Sequence, residues 1–227
     1  MKTPETIYVN DLDRMLLNTD LVLERQIKAC EDLDILPAQI IKAAAAEVVA
    51  TAGSFDLHKY LSEHDVEQHI WDDINRAFIR TSRPEDLLYP DAPAFLRRTA
   101  GRFFTLTKGG IDTQTVKLQV TELFEHPYAI VDETCKGSLI AESRLLDGTF
   151  VMTGDNGLTV HGERVVLGED KALGIAGLPN DCGAFWIQRG KNLLASQCGS
   201  VPPQTMIISS LDQVPVPYDY DRRSHAA

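Results

Sequence analysis

The sequence predicts an α/β protein of three layers, a mainly parallel sheet between two layers of helix, with a block of helices set into the chain after the first strand. Three observations predict it. Short apolar runs of strand length recur along the 227 residues, at 7–9, 103–107, 128–131, 165–167, 184–187 and 206–208. The stretches between several of them carry helical spacing, and strands joined through helices pair in parallel. The roughly 70 residues from 20 to 89 show helical spacing throughout and no strand-like alternation.

Taken in order, Ile7, Tyr8 and Val9 open the chain as a buried strand. Leu21, Leu23, Ile27 and Cys30 are helix-spaced among charges, and Pro37 stands at a helix start ahead of residues 38–53, with Gly53 as the stop. Val66, Ile70, Ile74 and Phe78 recur every four residues across 65–79. Pro90 and Pro93 bracket a turn, residues 94–99 form a short helix and Gly101 ends it. The strand at 103–107 closes in Lys108-Gly109-Gly110, a helix is expected at 113–123, a strand at 128–131 and a helix near 138–146. Strands at 165–167, 184–187 and 206–208 complete the sheet. Beyond Gln213 two prolines and many charges predict little order. The organisation read from this is a discontinuous core, residues 1–19 and 90–227, interrupted by a helical unit over 20–89.

Composition narrows the function classes. The apolar share of 44% and charged share of 24% are those of an ordinary globule. A formal net charge of −11 and the lack of any Lys/Arg run argue against nucleic acid. An acidic protein still binds a small phosphorylated molecule when a cation and a few local positive groups offset the charge. Cys30, Cys135, Cys182 and Cys198 form no Cys-x-x-Cys pair, which fits a reducing compartment. No apolar stretch approaches the roughly 20 residues that span a bilayer, and the apolar part of the first nine residues is too short for a secretory signal. The expectation is a cytoplasmic protein without membrane partners. The spacings of His58, His64 and His69 do not put neighbouring pairs on one helical face, so no metal site is expected there.

The chemistry concentrates where the first strand ends. Asp11 and Asp13 follow Val9-Asn10, at the strand tip where sites form in open α/β sheets. If the backbone stays extended, residues two apart project to one face. Two carboxylates there can share a divalent cation, or divide nucleophilic and proton-transfer work. The alternative is that they solvate a loop or cap the helix near Asp20. Thr107, with Lys108 and Gly109, ends the second predicted strand, and a hydroxyl with backbone N–H groups at a strand-to-helix turn makes an anion seat. Lys108 is the neighbouring phosphate candidate, although adjacent strand residues point apart.

The run Asp11-Leu12-Asp13-Arg14-Met15-Leu16-Leu17-Asn18-Thr19 resembles the first signature of the haloacid dehalogenase-like (HAD) phosphohydrolase superfamily. Met15 takes a place that in the family pattern holds Thr or Val, and Asn10 one that is usually apolar. Leu106-Thr107-Lys108-Gly109 resembles the second signature, Lys136 between a predicted strand and helix resembles the third, with Lys117 as the fallback, and Gly168-Glu169-Asp170 resembles an acidic fourth. All four stand in the family's order at predicted strand ends. The resemblance implies a Rossmann-like core with residues 20–89 as a C1 cap. It also implies Asp11 as nucleophile, Asp13 as acid/base, Lys136 as charge-balancing catalytic residue and Thr107, Lys108 and Lys136 around the substrate phosphate. Mg²⁺ would be held among Asp11, Asp13, Asp170 and Glu169. The implied activity is hydrolysis of a small phosphomonoester through an aspartyl-phosphate. Asp13 speaks against dehalogenation, since family members that cleave carbon–halogen bonds lack the second Asp. A phosphomutase, or a catalytically weak relative acting as a binding module, stays open, the latter motivated by Met15 and Asn10.

Overall fold

The computed structural model describes residues 5–50, 55–189 and 200–218. Six strands form one parallel sheet: β1 (Thr6–Asn10), β2 (Phe103–Lys108), β3 (Tyr128–Val131), β6 (Arg164–Glu169), β7 (Gly183–Ile187) and β8 (Thr205–Ile208), in the order β3-β2-β1-β6-β7-β8. Two further strands, β4 (Phe150–Thr153) and β5 (Thr159–Gly162), pair antiparallel in a hairpin of their own. The sequence reading had no strands there, although Asp155-Asn156-Gly157 lies between them as a turn signal.

β1 lies inside the sheet, between β2 and β6, and is covered on both sides. Its five residues are all buried. Strand alternation sends Tyr8 to one face, among Phe103, Val166, Phe185 and Phe95, and Ile7 and Val9 to the other, among Phe104, Leu106, Val165 and Leu167. The Tyr8 ring meets Phe95 edge-on at 6.1 Å. Strand order reverses at β1, with β2 in register on one side and β6 on the other. Open α/β sheets form their crevice beyond the carboxyl ends of the strands at such a point.

Between β1 and β2 the chain is helical: α1 (Thr19–Asp32), α2 (Ala38–Ala50), α3 (Leu57–Ser62), α4 (Gln68–Thr81), α5 (Pro84–Leu87) and α6 (Ala92–Arg98). Asn18 caps α1 by accepting the Leu21 N–H, and the buried Trp71, Ile74, Asn75 and Phe78 mark one face of α4. The Gly53 stop lies outside the described residues. The two connecting segments pair with each other: the Asn18 N–H donates to Leu87 O (2.8 Å) and the Tyr89 N–H to Leu16 O (2.9 Å). The helical block thus leaves and rejoins the sheet at one place.

After β2 come α7 (Ile111–Val120) and, after β3, α8 (Lys136–Glu142). Both begin about two residues earlier than the sequence spacing indicates. Of the tail expected to have little order, residues 214–218 are described and correct that expectation, while residues 219–227 lie outside the described residues. Val214 and Tyr218 are buried, and the Tyr218 N–H donates to the Tyr8 hydroxyl at 3.0 Å. Apolar contacts with the sheet outweigh the local proline and charge signal. Among the described residues no helix is long and apolar enough to cross a membrane.

Candidate active site

The carboxyl ends of β1, β2 and β6 bring the predicted residues to one edge of the sheet. Asp11 directly follows β1, and its N–H donates to Gly168 O (3.0 Å), so parallel pairing with β6 carries on into the site. Thr107 sits one residue before the end of β2, Glu169 closes β6 and Asp170 follows it. Strand registry alone places these groups together.

Lys136, the first residue of α8, is the hub of one half. Its ammonium lies 2.6 Å from Asp11 Oδ1 and 2.7 Å from Glu169 Oε2, with all three side chains at least nine-tenths buried. Asp11, Glu169 and Asp170 each direct a carboxylate oxygen to a common place where these atoms lie within 4.8 Å of one another. One ammonium cannot neutralise three carboxylates, and the protonation energetics show it. Burial and the charge of Glu169 push Asp11 up to about 7 despite Lys136. Burial, then Glu169 and Asp11, push Asp170 well above the carboxylate range. Burial acts on Glu169 in the same direction, but Lys136, a hydrogen bond from the Asp170 carboxyl and the Lys171 N–H outweigh it and hold Glu169 low. Burial would lower Lys136, and its two carboxylates raise it instead. Gly174 makes room here, since a Cβ on it would come within 2.5 Å of the Glu169 side chain. The Trp186 indole N–H donates to Asp170 O at 2.9 Å.

Asp13 belongs to a second centre. Arg14 adopts φ 56°, so the chain turns immediately after Asp13 instead of running on extended. The Asp13 carboxylate faces α7, where Lys117 Nζ lies 2.8 Å and 2.9 Å from its two oxygens. Gln114 Nε2 donates to Oδ2 (3.0 Å) and the Thr19 hydroxyl to Oδ1 (2.8 Å). Burial raises the pKa of Asp13, but Lys117 and these hydrogen bonds dominate and hold it down at about 2. The Asp13 carboxylate, expected to share a cation with Asp11, lies outside the group of converging carboxylates and is paired with Lys117.

Thr107 is fully buried and its hydroxyl donates to Gln114 Oε1 at 3.1 Å. Lys108 does not join it. Its side chain is exposed and its ammonium donates to the Thr134 hydroxyl. Of the predicted residues, then, Asp11, Lys136, Glu169 and Asp170 meet in one cluster, Asp13 and Thr107 meet through Gln114, and Lys108 stands outside both.

Gln114 is the residue that sequence reasoning missed, and Lys117 entered it only as a substitute for Lys136. The available signal was their three-residue spacing on the helix after Thr107, which puts both on one helical face. The helical block also reaches this helix. The Thr113 hydroxyl donates to Asp56 Oδ1 (2.7 Å), and His58 Nδ1 lies 3.3 Å from Asp112 Oδ2. A cleft of about 320 Å³ opens between α4 and α7, lined by residues including Trp71, Asn75 and Val116, but by none of the carboxylates or lysines of the two centres.

The two departures from the family pattern have structural accounts. Met15 is fully buried and packs where Gly168 leaves space, its Cε being 2.6 Å from a Cβ placed on that glycine. Its carbonyl receives the Arg189 guanidinium (2.7 and 3.2 Å), which is bidentate on Asp91 and lies 3.9 Å over the Tyr89 ring. Asn10 donates Nδ2 to Tyr8 O (2.8 Å) within its own strand.

A carboxyl-edge site at the strand-order reversal of a parallel sheet, with helices inserted after the first strand, defines a class of α/β protein, and comparison with solved structures specifies it. A haloacid dehalogenase-like protein from Burkholderia xenovorans LB400 superposes with a TM-score of 0.60 at 16% identity, over 92% of this chain and 96% of that one. L-2-haloacid dehalogenase from Xanthobacter autotrophicus gives 0.54 at 14%, covering 94% and 98%. The HAD-hydrolase YfnB from Bacillus subtilis, described bound to magnesium, gives 0.52 at 14%, covering 93% and 97%. No family model and no curated protein matches the sequence. The chain has the haloacid dehalogenase-like fold.

Proposed function

We propose that this chain is a Mg²⁺-dependent phosphohydrolase acting on a small phosphomonoester through an aspartyl-phosphate on Asp11, with residues 20–89 as a C1 cap over the site. The observation that carries the reading is the convergence of the Asp11, Glu169 and Asp170 carboxylates, two of them on the Lys136 ammonium. The fit to a divalent cation rests on the donor set. Three hard oxygen ligands crowd within 4.8 Å, and two of them are pushed up in pKa by burial and then by their carboxylate neighbours, both of which a cation offsets. When bound, Mg²⁺ supplies charge neutralisation to the transferring phosphoryl group. YfnB, similar in fold, is described with magnesium.

The chain's own groups do the rest. Asp11 attacks phosphorus, a new oxygen–phosphorus bond forms, and the bond to the leaving oxygen breaks as that oxygen takes a proton from Asp13. Water then attacks the aspartyl-phosphate, Asp13 accepts its proton, and Asp11 is released with inorganic phosphate. Lys136 holds Asp11 in place and offsets negative charge on the phosphoryl group. Thr107 lines the phosphate seat. Asp13 favours phosphoryl transfer over dehalogenation, which needs no second Asp.

The test is phosphate release from an aryl phosphate with and without Mg²⁺, wild type beside Asp11→Asn. Metal-dependent release by wild type alone is the expected result. Equal background from both proteins across a panel of sugar phosphates, nucleotides and aryl phosphates overturns the reading.

A further inference from the structure

We infer that Gln114 and Lys117, one turn apart on α7, are positioning residues that hold Asp13 and Thr107 as a single unit; the inference rests on the phosphohydrolase reading above. A carboxylate offers about four lone-pair sites. Asp13 fills four: two from Lys117 at 2.8 and 2.9 Å, one from Gln114 at 3.0 Å and one from Thr19 at 2.8 Å. The plane of its carboxylate is therefore fixed, and three of the four bonds come from α7.

Gln114 also fixes Thr107. Its Nε2 faces two groups that only accept, Asp13 Oδ2 and Lys108 O at 3.3 Å, so the amide has one possible orientation. That orientation turns Oε1 towards Thr107, whose hydroxyl must donate to it at 3.1 Å. One side chain thus sets the direction of the seat hydroxyl and of the acid/base carboxylate together. Thr107 is fully buried, and Gln114 and Lys117 nearly so, so solvent does not readily replace these three; Asp13, half-buried, is the one member partly open to solvent. Gly109 gives the amide its space, because a Cβ there would lie 2.6 Å from Gln114 Nε2.

A group held in this way matters for the chemical step more than for substrate capture. Displacement of a reacting group by about 1 Å can cost about 10²-fold in rate. Lys117→Met removes two of the four bonds on Asp13, and Gln114→Leu removes one and releases Thr107.

The experiment is steady-state kinetics with an aryl phosphate on wild type, Lys117→Met and Gln114→Leu, with kcat referred to folded protein. The expected result is kcat lowered by about 10²-fold in Lys117→Met and about 10-fold in Gln114→Leu, with KM moving less than about threefold in either. If Lys117→Met does not fold, Gln114→Leu, which leaves no buried charge unpaired, carries the test. Variants with wild-type kcat overturn the positioning role and leave the phosphohydrolase reading intact. A wild type that binds inorganic phosphate but turns over no phosphomonoester overturns that reading, and the positioning role with it.

Discussion

Two buried lysines stand a few residues of sheet edge apart and do opposite things. Lys117 meets one carboxylate, helped by two neutral donors, and the result is a closed, satisfied pair with Asp13 held down at about 2. Lys136 meets two carboxylates with a third close by, and Asp11 rises to about 7. Burial acts on both Asp11 and Asp13 in the same direction, so it does not account for the difference. The number of carboxylates per cation does. A balanced centre keeps its carboxylate ionised and fixed in place, whereas an overcharged one favours a further cation.

The comparison can be broken most directly at Lys136. Lys136→Met leaves Asp11 and Glu169 buried without their counter-ion, and breaking a buried pair from one side costs about 3–5 kcal/mol. Urea unfolding in metal-free buffer measures it, and added Mg²⁺ should restore part of the loss through binding to the native state alone. A loss below about 1 kcal/mol would mean that Lys136 is not the group holding this cluster together.

Asp11→Asn should act in the reverse direction. The folded pKa of Asp11 is raised from 3.8 to about 7, so its ionisation opposes folding above the ordinary carboxylate value, increasingly until pH passes about 7. Removing that charge, while Lys136 keeps Glu169, should raise Tm without metal by roughly 2–8 °C at neutral pH. The gain should shrink as pH falls towards 4. With Mg²⁺ present, wild type should gain more than the variant, and a variant equally stabilised by the metal would exclude Asp11 as a ligand.

A finer change sharpens the picture without altering charge. Gly174→Ala sets a methyl against the Glu169 side chain and should weaken Mg²⁺ binding about tenfold, as changes just behind a metal ligand do. Calorimetric titration reads this, and unchanged affinity would show that Glu169 stands apart from the cation. The smallest effect is expected at an ion pair, Asp91 with Arg189, that touches none of the carboxylates or lysines of the two centres. Asp91 is held low, burial being outweighed by Arg189 and by donors from Leu211 and Ser210, so its stabilisation is present at neutral pH. It is lost as pH falls through its depressed folded value. Asp91→Asn should cost about 1 kcal/mol at pH 7 and nothing in strong acid. A cost that persists in acid would point to lost shape and not lost charge.

Much of the site was legible because strand tips are legible. Asp11, Thr107, Glu169 and Asp170 each follow an apolar run, and a parallel sheet brings the ends of its strands to one edge. Lys136 was readable for the same reason, at the first turn of the helix after β3. Asp13 was half readable. Its place after the strand was plain, but its direction depended on the left-handed turn at Arg14, which no periodicity announces. Lys108 stands apart from Thr107, since the strand alternation that buries Thr107 exposes its neighbour. The hairpin of β4 and β5 was overlooked because its strands are four residues each and β5 holds only one apolar side chain, Val160.

The sequence by itself determined the order of elements, the helical block after the first strand and the acidic and hydroxyl residues at strand ends. These follow from patterns that span a few residues, because backbone periodicity and side-chain hydrophobicity act locally. Only the tertiary structure decided which lysine serves which carboxylate. Lys117 and Asp13 are 104 residues apart, and Lys136 and Glu169 are 33. Those pairings depend on the rotation of α7 and the position of α8 once both are packed on the sheet. That rotation is set by side chains drawn from every neighbouring element, and no local stretch of sequence contains it.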